Sequence, residues 1–220
     1  MKNQDIKNIL ESDELKEQRA DKNGRYWSWE YCYSAFAQYK SSMLTDKDID
    51  YLSLHLAFYL ASWGMYRGSS KLLQKNYKIH VAAVKELMRE KYIDLWAPKC
   101  EDLCLPGNRL ELLFELSDVL REIYHSNGVS PTDTLITKIL MGTLGCVPAY
   151  DRYFLNGVKD LKVASLSFNK GSIQKLSNFY VNNSDSFEEL RQSLSTGDVE
   201  YPQMKILDTY FLLRGYKIAD

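Results

Sequence analysis

Two residues in the second half of the chain, Lys138 and Asp151, have side chains suited to chemistry. Pro148 fits the first position of a helix, so the sequence predicts that Asp151 lies in the first turn of that helix. There a carboxylate gains about 0.3–1 kcal/mol from unpaired backbone N–H groups. Asp151 is therefore either a structural residue at a helix start or a catalytic carboxylate, with Lys138 as the second candidate catalytic residue. No other part of the sequence resembles a reaction centre.

Residues 137–140 (TKIL) and 147–152 (VPAYDR) resemble the segment that leads to the catalytic aspartate in helix-hairpin-helix DNA glycosylases. The resemblance covers about residues 131–160. It implies that Asp151 stabilises positive charge on a sugar carbon or orients a water molecule beside a flipped nucleotide, with Lys138 at the same site. The chain differs from that family in lacking the glycine-rich hairpin before Lys138 and in the shorter spacing between Lys138 and Asp151.

A second group of candidate binding residues lies at the start of a predicted helix, where Trp27 and Tyr31 share one face and Arg25 is close in sequence. Aromatic faces beside a cation can stack a nucleobase, with about 1–3 kcal/mol per stacked base. The alternative is that these rings close one end of the hydrophobic core. The sequence leaves both interpretations open.

A third group surrounds the predicted end of a helix at Gly64 and Gly68. Its candidate ligand-binding residues are Trp63, Tyr66, Arg67, Ser69, Ser70 and Lys71. If a second helix begins at Ser69 or Ser70, its free N–H groups would suit a phosphate or carboxylate. The order of residues excludes a Walker A loop, and a purely structural junction is the alternative.

The charge distribution predicts the class of partner better than the net charge does. The chain has 28 Lys+Arg and 29 Asp+Glu among 220 residues, which excludes a uniformly basic nucleic-acid binder. Residues 64–92 nevertheless contain seven basic and two acidic side chains, which favours a nucleic acid or another polyanion as partner. A protein partner is the alternative, since an acidic ridge along 109–124 could dock a basic surface.

Several classes of site and location are not indicated by the sequence. The three histidines are far apart, and the pair Cys100 and Cys104 has no histidine nearby, so we predict no metal site and no cofactor. The polar start of the chain lacks the apolar core of a signal peptide, and no apolar segment reaches the length of a membrane span. We therefore expect a cytoplasmic protein without membrane contact.

The elements that must position these residues are predicted to be helices, because apolar residues recur at helical spacing almost throughout. We expect an all-α, compact multi-helix domain over 1–220, with two lobes that meet near 126–131 around a buried central helix at about 46–63. In that helix Leu54, Leu56, Phe58, Leu60 and Ala61 are expected to be buried. Further helices are predicted over 27–39, 77–95, 109–124, 132–144, 149–158, 171–180, 186–194 and 202–213. Residues 161–168 are the candidate extended segment.

Two functions follow from these patterns. The first is a nucleic-acid-associated, glycosylase-like protein, and the second is a non-catalytic helical module that binds a protein or a small ligand. A single cleft containing Asp151, Lys138, Trp27 and Arg67 would favour the first. An Asp151 carboxylate wholly satisfied by backbone N–H groups, with no cavity beside it, would favour the second.

Overall fold

A computed structural model gives the fold and describes residues 6–9, 12–67, 70–195 and 199–219. These residues form α-helices and short 3-10 helices, which confirms the all-α prediction. The α-helices are α1 (Asp13–Ala20), α2 (Trp27–Gln38), α3 (Asp46–Ser62), α4 (Val81–Leu87), α5 (Asn108–Ser126), α6 (Asp133–Thr143), α7 (Arg152–Leu161), α8 (Lys170–Val181), α9 (Ser184–Leu194) and α10 (Gln203–Ala219). The 3-10 helices are Leu72–Gln74, Tyr77–His80, Glu90–Leu95 and Cys100–Leu103. Of the helices in these ranges, none combines the length and apolarity that crossing a bilayer requires.

The centre of the fold is α6 together with the segment that follows it. Every residue from 135 to 150 is buried. The indole N–H of Trp29 in α2 donates to the carbonyl of Met141 at 3.0 Å, which fixes α2 against the C-terminal half of α6. Helices α2, α3 and α5 all pack against α6. The element that carries Lys138 and leads to Asp151 is therefore the most enclosed part of the molecule.

Helix α3 has the predicted ends but not the predicted burial. The Thr45 hydroxyl accepts from the backbone N–H of Asp48, and the Asp48 carboxylate accepts from the Thr45 N–H, which forms a capping box. Leu56 and Leu60 are buried as predicted. The prediction was wrong for Leu54, Phe58 and Ala61: Leu54 is 47% exposed, Phe58 is 69% exposed and Ala61 is exposed. These three lie on the face of α3 that points away from α6, where no described element covers them.

The long helix predicted over 77–95 is divided in the structure. Tyr77–His80 and Glu90–Leu95 are 3-10 helices on either side of α4. Helix α4 ends because Arg89 adopts an extended backbone, with φ −69° and ψ 138°. The segment between α7 and α8, which includes most of the candidate extended segment 161–168, contains no strand among its described residues. Gly128 follows α5 with a φ of +74°, as expected for a glycine after a helix end. A division into lobes at 126–131 stays a prediction.

Helices α7 and α10 pack with their backbones unusually close. A Cβ atom on Gly157 would lie 2.2 Å from the carbonyl oxygen of Phe211, and one on Gly215 would lie 1.8 Å from that of Tyr153. Only glycine permits such an approach at these two positions. As a result, Tyr153 near the start of α7 lies against Tyr216 near the end of α10, with ring centroids 4.1 Å apart.

Candidate binding site at the start of helix α7

Asp151 is the N-cap of α7 rather than a residue of its first turn. One carboxylate oxygen, Oδ1, accepts from the backbone N–H groups of Tyr153 and Phe154 at 3.1 Å each. The predicted helix start near Pro148 was wrong: Asp151 has an extended backbone, with φ −93° and ψ 173°, so the helix begins only after it. Ala149 donates to Asp208 Oδ1 at 3.0 Å, and Tyr150 donates to the Thr137 hydroxyl at 2.9 Å. These bonds fix the position of the segment that leads to Asp151.

The second carboxylate oxygen of Asp151 is occupied by Lys138. The Lys138 Nζ lies 2.8 Å from Asp151 Oδ2, and the two side chains are only 4% and 16% exposed. Both candidate catalytic residues named from the sequence are therefore in direct contact. Asp151 thus accepts three hydrogen bonds from protein groups, which give the carboxylate a structural role.

Trp63 connects this ion pair to α3. The Lys138 Nζ lies 4.8 Å from the centre of the Trp63 ring, within range of a cation–π interaction. One turn away, Tyr59 packs directly against Gly142, where a Cβ would lie 2.3 Å from the Tyr59 ring. Because Gly142 has no side chain, α3 and α6 approach closely at this point, and Trp63 lies against Lys138. The Trp63 indole nitrogen is buried and has no hydrogen-bond partner among the described residues.

Arg25 lies on the outer side of Trp63. Its guanidinium carbon is 5.3 Å from the Trp63 ring centre and 5.1 Å from that of Tyr26. One guanidinium nitrogen donates to the hydroxyls of Tyr216 at 3.1 Å and Tyr26 at 3.3 Å. The hydrogen bond to Tyr26 is the main cause of a raised pKa of Arg25. Burial, reinforced by the neighbouring Tyr26, raises the pKa of Tyr216, so its hydroxyl stays protonated at neutral pH.

The same contacts continue to a second arginine. Tyr216 packs against Tyr153, and the Arg152 guanidinium lies 4.5 Å from the centre of the Tyr153 ring. We call Arg25, Tyr26, Arg152, Tyr153 and Tyr216 the aromatic–arginine surface. Both arginines are exposed, and neither forms an ion pair with a carboxylate in the part of the chain that the structure describes. The surface therefore presents two uncompensated positive charges beside three tyrosine rings.

A cavity adjoins this surface at the end of α10. Its volume is about 240 Å³, and it is lined by Glu14, Gln18, Arg25, Tyr26, Leu213, Tyr216 and Lys217. Lys217 lies 3.9 Å from the Glu14 carboxylate, so these two charges largely compensate each other. Arg25 is then the uncompensated charge on the wall of the cavity. Asp151 and Lys138 are not among the residues that line it.

Trp27 and Tyr31 lie apart from the Lys138–Asp151 pair. The Trp27 indole donates to the Arg19 carbonyl at 3.2 Å, and the Arg19 guanidinium lies 5.2 Å from the Trp27 ring centre. Tyr31 packs at 6.1 Å from Trp27 and donates its hydroxyl to the carbonyl of Lys22. Trp27 lines a smaller cavity of about 40 Å³ that has room for a few water molecules. Asp151, Lys138 and Arg67 are not among the residues that line this cavity.

The turn after α3 consists largely of structural residues. The Tyr66 hydroxyl bonds to His80 Nε2 at 2.8 Å, and the Ser70 hydroxyl donates to the Met65 carbonyl at 2.6 Å. The element that follows is the 3-10 helix Leu72–Gln74, whose first N–H is taken by the Ser70 hydroxyl at 3.3 Å. The predicted helix with free N–H groups at this point is therefore replaced by a short turn, because Ser70 caps it locally. Ser69 lies outside the described residues.

The basic excess of residues 64–92 is largely compensated in the folded chain. Four of its seven basic residues lie close to carboxylates, in the pairs Lys78–Asp50, Lys85–Asp46, Arg89–Glu86 and Lys91–Glu115. Arg67, Lys71 and Lys75 are exposed and have no ion-pair partner within the described ranges. Arg67 lies over Gly64, where a Cβ would be 3.3 Å from its guanidinium. The negative charge of the acidic ridge on α5 is likewise partly compensated, since Glu111 pairs with Lys170 and Glu115 with Lys91.

Sequence reasoning missed Tyr216 as a site residue. Arg25 and Tyr216 are 191 positions apart, and nothing local to Tyr216 indicates that it completes a surface with the start of α2.

The described residues contain no group of His, Cys, Asp and Glu side chains arranged to hold a metal ion, and the Cys104 thiol simply donates to the Cys100 carbonyl. Comparisons of the chain with known protein families, with curated proteins and with solved structures found no match. The resemblance to DNA glycosylases therefore stays a prediction from the sequence.

Proposed function

We propose that this chain binds single-stranded nucleic acid through the aromatic–arginine surface, without catalysing a reaction on it. The observation that carries the proposal is the continuous series of contacts from Arg25 through Tyr216 and Tyr153 to Arg152. Two arginines without carboxylate partners can neutralise phosphates, and the tyrosine rings beside them can stack bases. Unpaired bases fit best, because a duplex keeps its base faces inside the helix.

The Lys138–Asp151 pair positions the residues of this surface. Asp151 caps the helix that carries Arg152 and Tyr153, while Lys138 lies against Trp63, which in turn contacts Arg25. Glycosylase chemistry would require the carboxylate to face the sugar of a flipped nucleotide. Here Oδ1 accepts two backbone N–H groups and Oδ2 accepts the lysine. The arrangement favours a positioning role for both residues.

Fluorescence anisotropy with labelled oligonucleotides tests the binding. We expect tighter binding to a single strand than to a duplex of the same sequence. The logarithm of the affinity should fall with the logarithm of salt concentration with a slope of about −0.7 per neutralised phosphate, hence about −1.4 for two arginines. No binding to single strands at low salt would refute the proposal.

A small anionic ligand with an aromatic ring is the second candidate, and the cavity of about 240 Å³ between Arg25 and Lys217 favours it. The same assay separates the two functions. If a mononucleotide displaces the labelled strand fully at low concentration, the cavity is the main site and the ligand is small. If only longer strands compete, the extended surface is the site.

Catalysis is tested with duplexes that contain alkylated, oxidised or deaminated bases. We expect no release of free base, because both oxygens of the Asp151 carboxylate already accept hydrogen bonds from protein groups. Base release that disappears in a folded Asp151→Asn variant would show instead that the carboxylate acts on the substrate.

A further inference from the structure

The outer face of α3 carries an apolar stripe that nothing in the described chain covers. Tyr51, Leu54 and Phe58 are 43%, 47% and 69% exposed, and Ala61 continues the stripe. Large exposed side chains at regular helical positions indicate an interaction surface rather than scattered apolar residues. The stripe has no part in the nucleic-acid surface proposed above, which lies at the starts of α2 and α7 and the end of α10.

The spacing of the stripe indicates that its partner is another helix. Tyr51, Leu54, Phe58 and Ala61 are separated by three, four and three positions, with Lys47 four positions before them. This alternation of three and four matches the spacing of residues along the seam of a two-helix coiled coil. The core-facing residues of α3, such as Leu56 and Leu60, form a separate face.

We propose that a second copy of this chain docks on the stripe, with the two α3 helices antiparallel around Leu56. In that register Tyr51 of each copy lies opposite Ala61 of the other, and Leu54 lies opposite Phe58. The largest ring thus faces the smallest side chain, which is the complementarity that close helix packing needs. The sequence of the stripe is therefore complementary to itself when reversed.

The charges at the two ends of α3 select the antiparallel orientation. The carboxylate of Asp46 at the start of α3 is 98% exposed, and its contact with Lys85 is long, at 3.9 Å. Arg67 lies just beyond the end of α3 without an ion-pair partner in the described chain. Antiparallel pairing brings the start of α3 in one copy, with Asp46, beside the end of α3 in the other, where the Arg67 guanidinium lies over Gly64. Parallel pairing would bring like charges together, which costs binding energy.

Sedimentation velocity of the full chain over a range of concentrations tests this interface. A single helix pair buries less than the roughly 1,200–2,000 Å² of a stable interface, so we expect a reversible dimer. The mass should rise from that of the 25.6 kDa chain towards twice that value as concentration increases. Phe58→Glu should keep the chain monomeric, because it buries charge in the seam. Leu105→Glu is the matched control: Leu105 is 73% exposed outside the stripe, so this variant should still dimerise.

A charge exchange tests the orientation. Arg67→Asp and Asp46→Arg should each raise the dissociation constant by about tenfold, and the double variant should restore it. A chain that stays monomeric at every soluble concentration would overturn the proposal. So would a dimer that survives Phe58→Glu in a variant with native circular dichroism, or a double variant that is weaker than both single ones.

Discussion

The Lys138 ammonium lies 2.8 Å from one carboxylate oxygen of Asp151, while the other oxygen caps helix α7. This contact joins the most buried helix of the fold to the helix that presents Arg152 and Tyr153. A buried ion pair of this kind stabilises little on its own, but it makes the loss of either partner costly. The pair therefore fixes where α7 begins, and with it one half of the aromatic–arginine surface.

Asp151→Asn should lower the free energy of unfolding by about 3 kcal/mol, because it leaves the Lys138 ammonium buried without its counter-charge. The cap itself should survive, since asparagine is as good an N-cap as aspartate. Urea unfolding followed by circular dichroism measures the loss. The double variant Lys138→Met with Asp151→Asn should recover part of it, and a single variant with unchanged stability would show that the pair is not coupled to the fold.

Gly215→Ala should destabilise the protein by about 1–3 kcal/mol and weaken single-strand binding as well. The added methyl would meet the Tyr153 carbonyl at 1.8 Å and push α7 away from α10, which separates Tyr153 from Tyr216. Gly171→Ala at the exposed start of α8 is the control, with nothing closer than 3.5 Å, and it should leave both properties nearly unchanged. Equal effects of the two substitutions would contradict the close-packing argument.

Stability should fall in acid partly because of His80. Burial lowers the pKa of His80 from 6.5 to about 3, while its two ring nitrogens bond to the hydroxyls of Tyr66 and Tyr124. Between these pH values the unfolded chain binds a proton at His80 that the folded chain does not. The contribution of the neutral His80 side chain to the free energy of unfolding is therefore fully present above about pH 6.5 and is lost as the pH falls towards 3. His80→Gln should flatten this dependence by at most about 1.4 kcal/mol per pH unit, measured as urea unfolding at several pH values. A slope unchanged by the substitution would show that His80 does not titrate abnormally.

The helices could be predicted well where local signals define them. Thr45 and Asp48 mark the start of α3, and the structure confirms this end because the capping box is formed within four residues of sequence. Which face of α3 is buried could not be predicted, because Leu54 and Phe58 are apolar like the core residues Leu56 and Leu60. When a helix is apolar on nearly every side, its sequence does not show which face is buried.

The start of α7 shows why the candidate site was only partly predictable. Lys138 and Asp151 could be named from their chemistry, and the structure brings them together. The rule that proline begins a helix failed at Pro148, because Asp151 is the N-cap and the helix begins after it. The segment before Asp151 is held by Asp208, 59 positions beyond Ala149, which accepts the Ala149 N–H. The contact between Arg25 and Tyr216 depends on the same kind of long-range packing. Such partners are set by the tertiary fold and leave no local pattern.

The most direct test of the account compares two variants that each remove two exposed positive charges. Arg25→Ala with Arg152→Ala removes the cations that lie on the tyrosine rings, whereas Lys71→Ala with Lys75→Ala removes unpaired cations of the basic segment 64–92. Anisotropy with a labelled single strand at fixed salt should show a loss of affinity of at least about tenfold for the arginine variant and a much smaller loss for the lysine variant. Equal losses, or a greater loss for the lysine variant, would contradict the assignment of nucleic-acid binding to the aromatic–arginine surface.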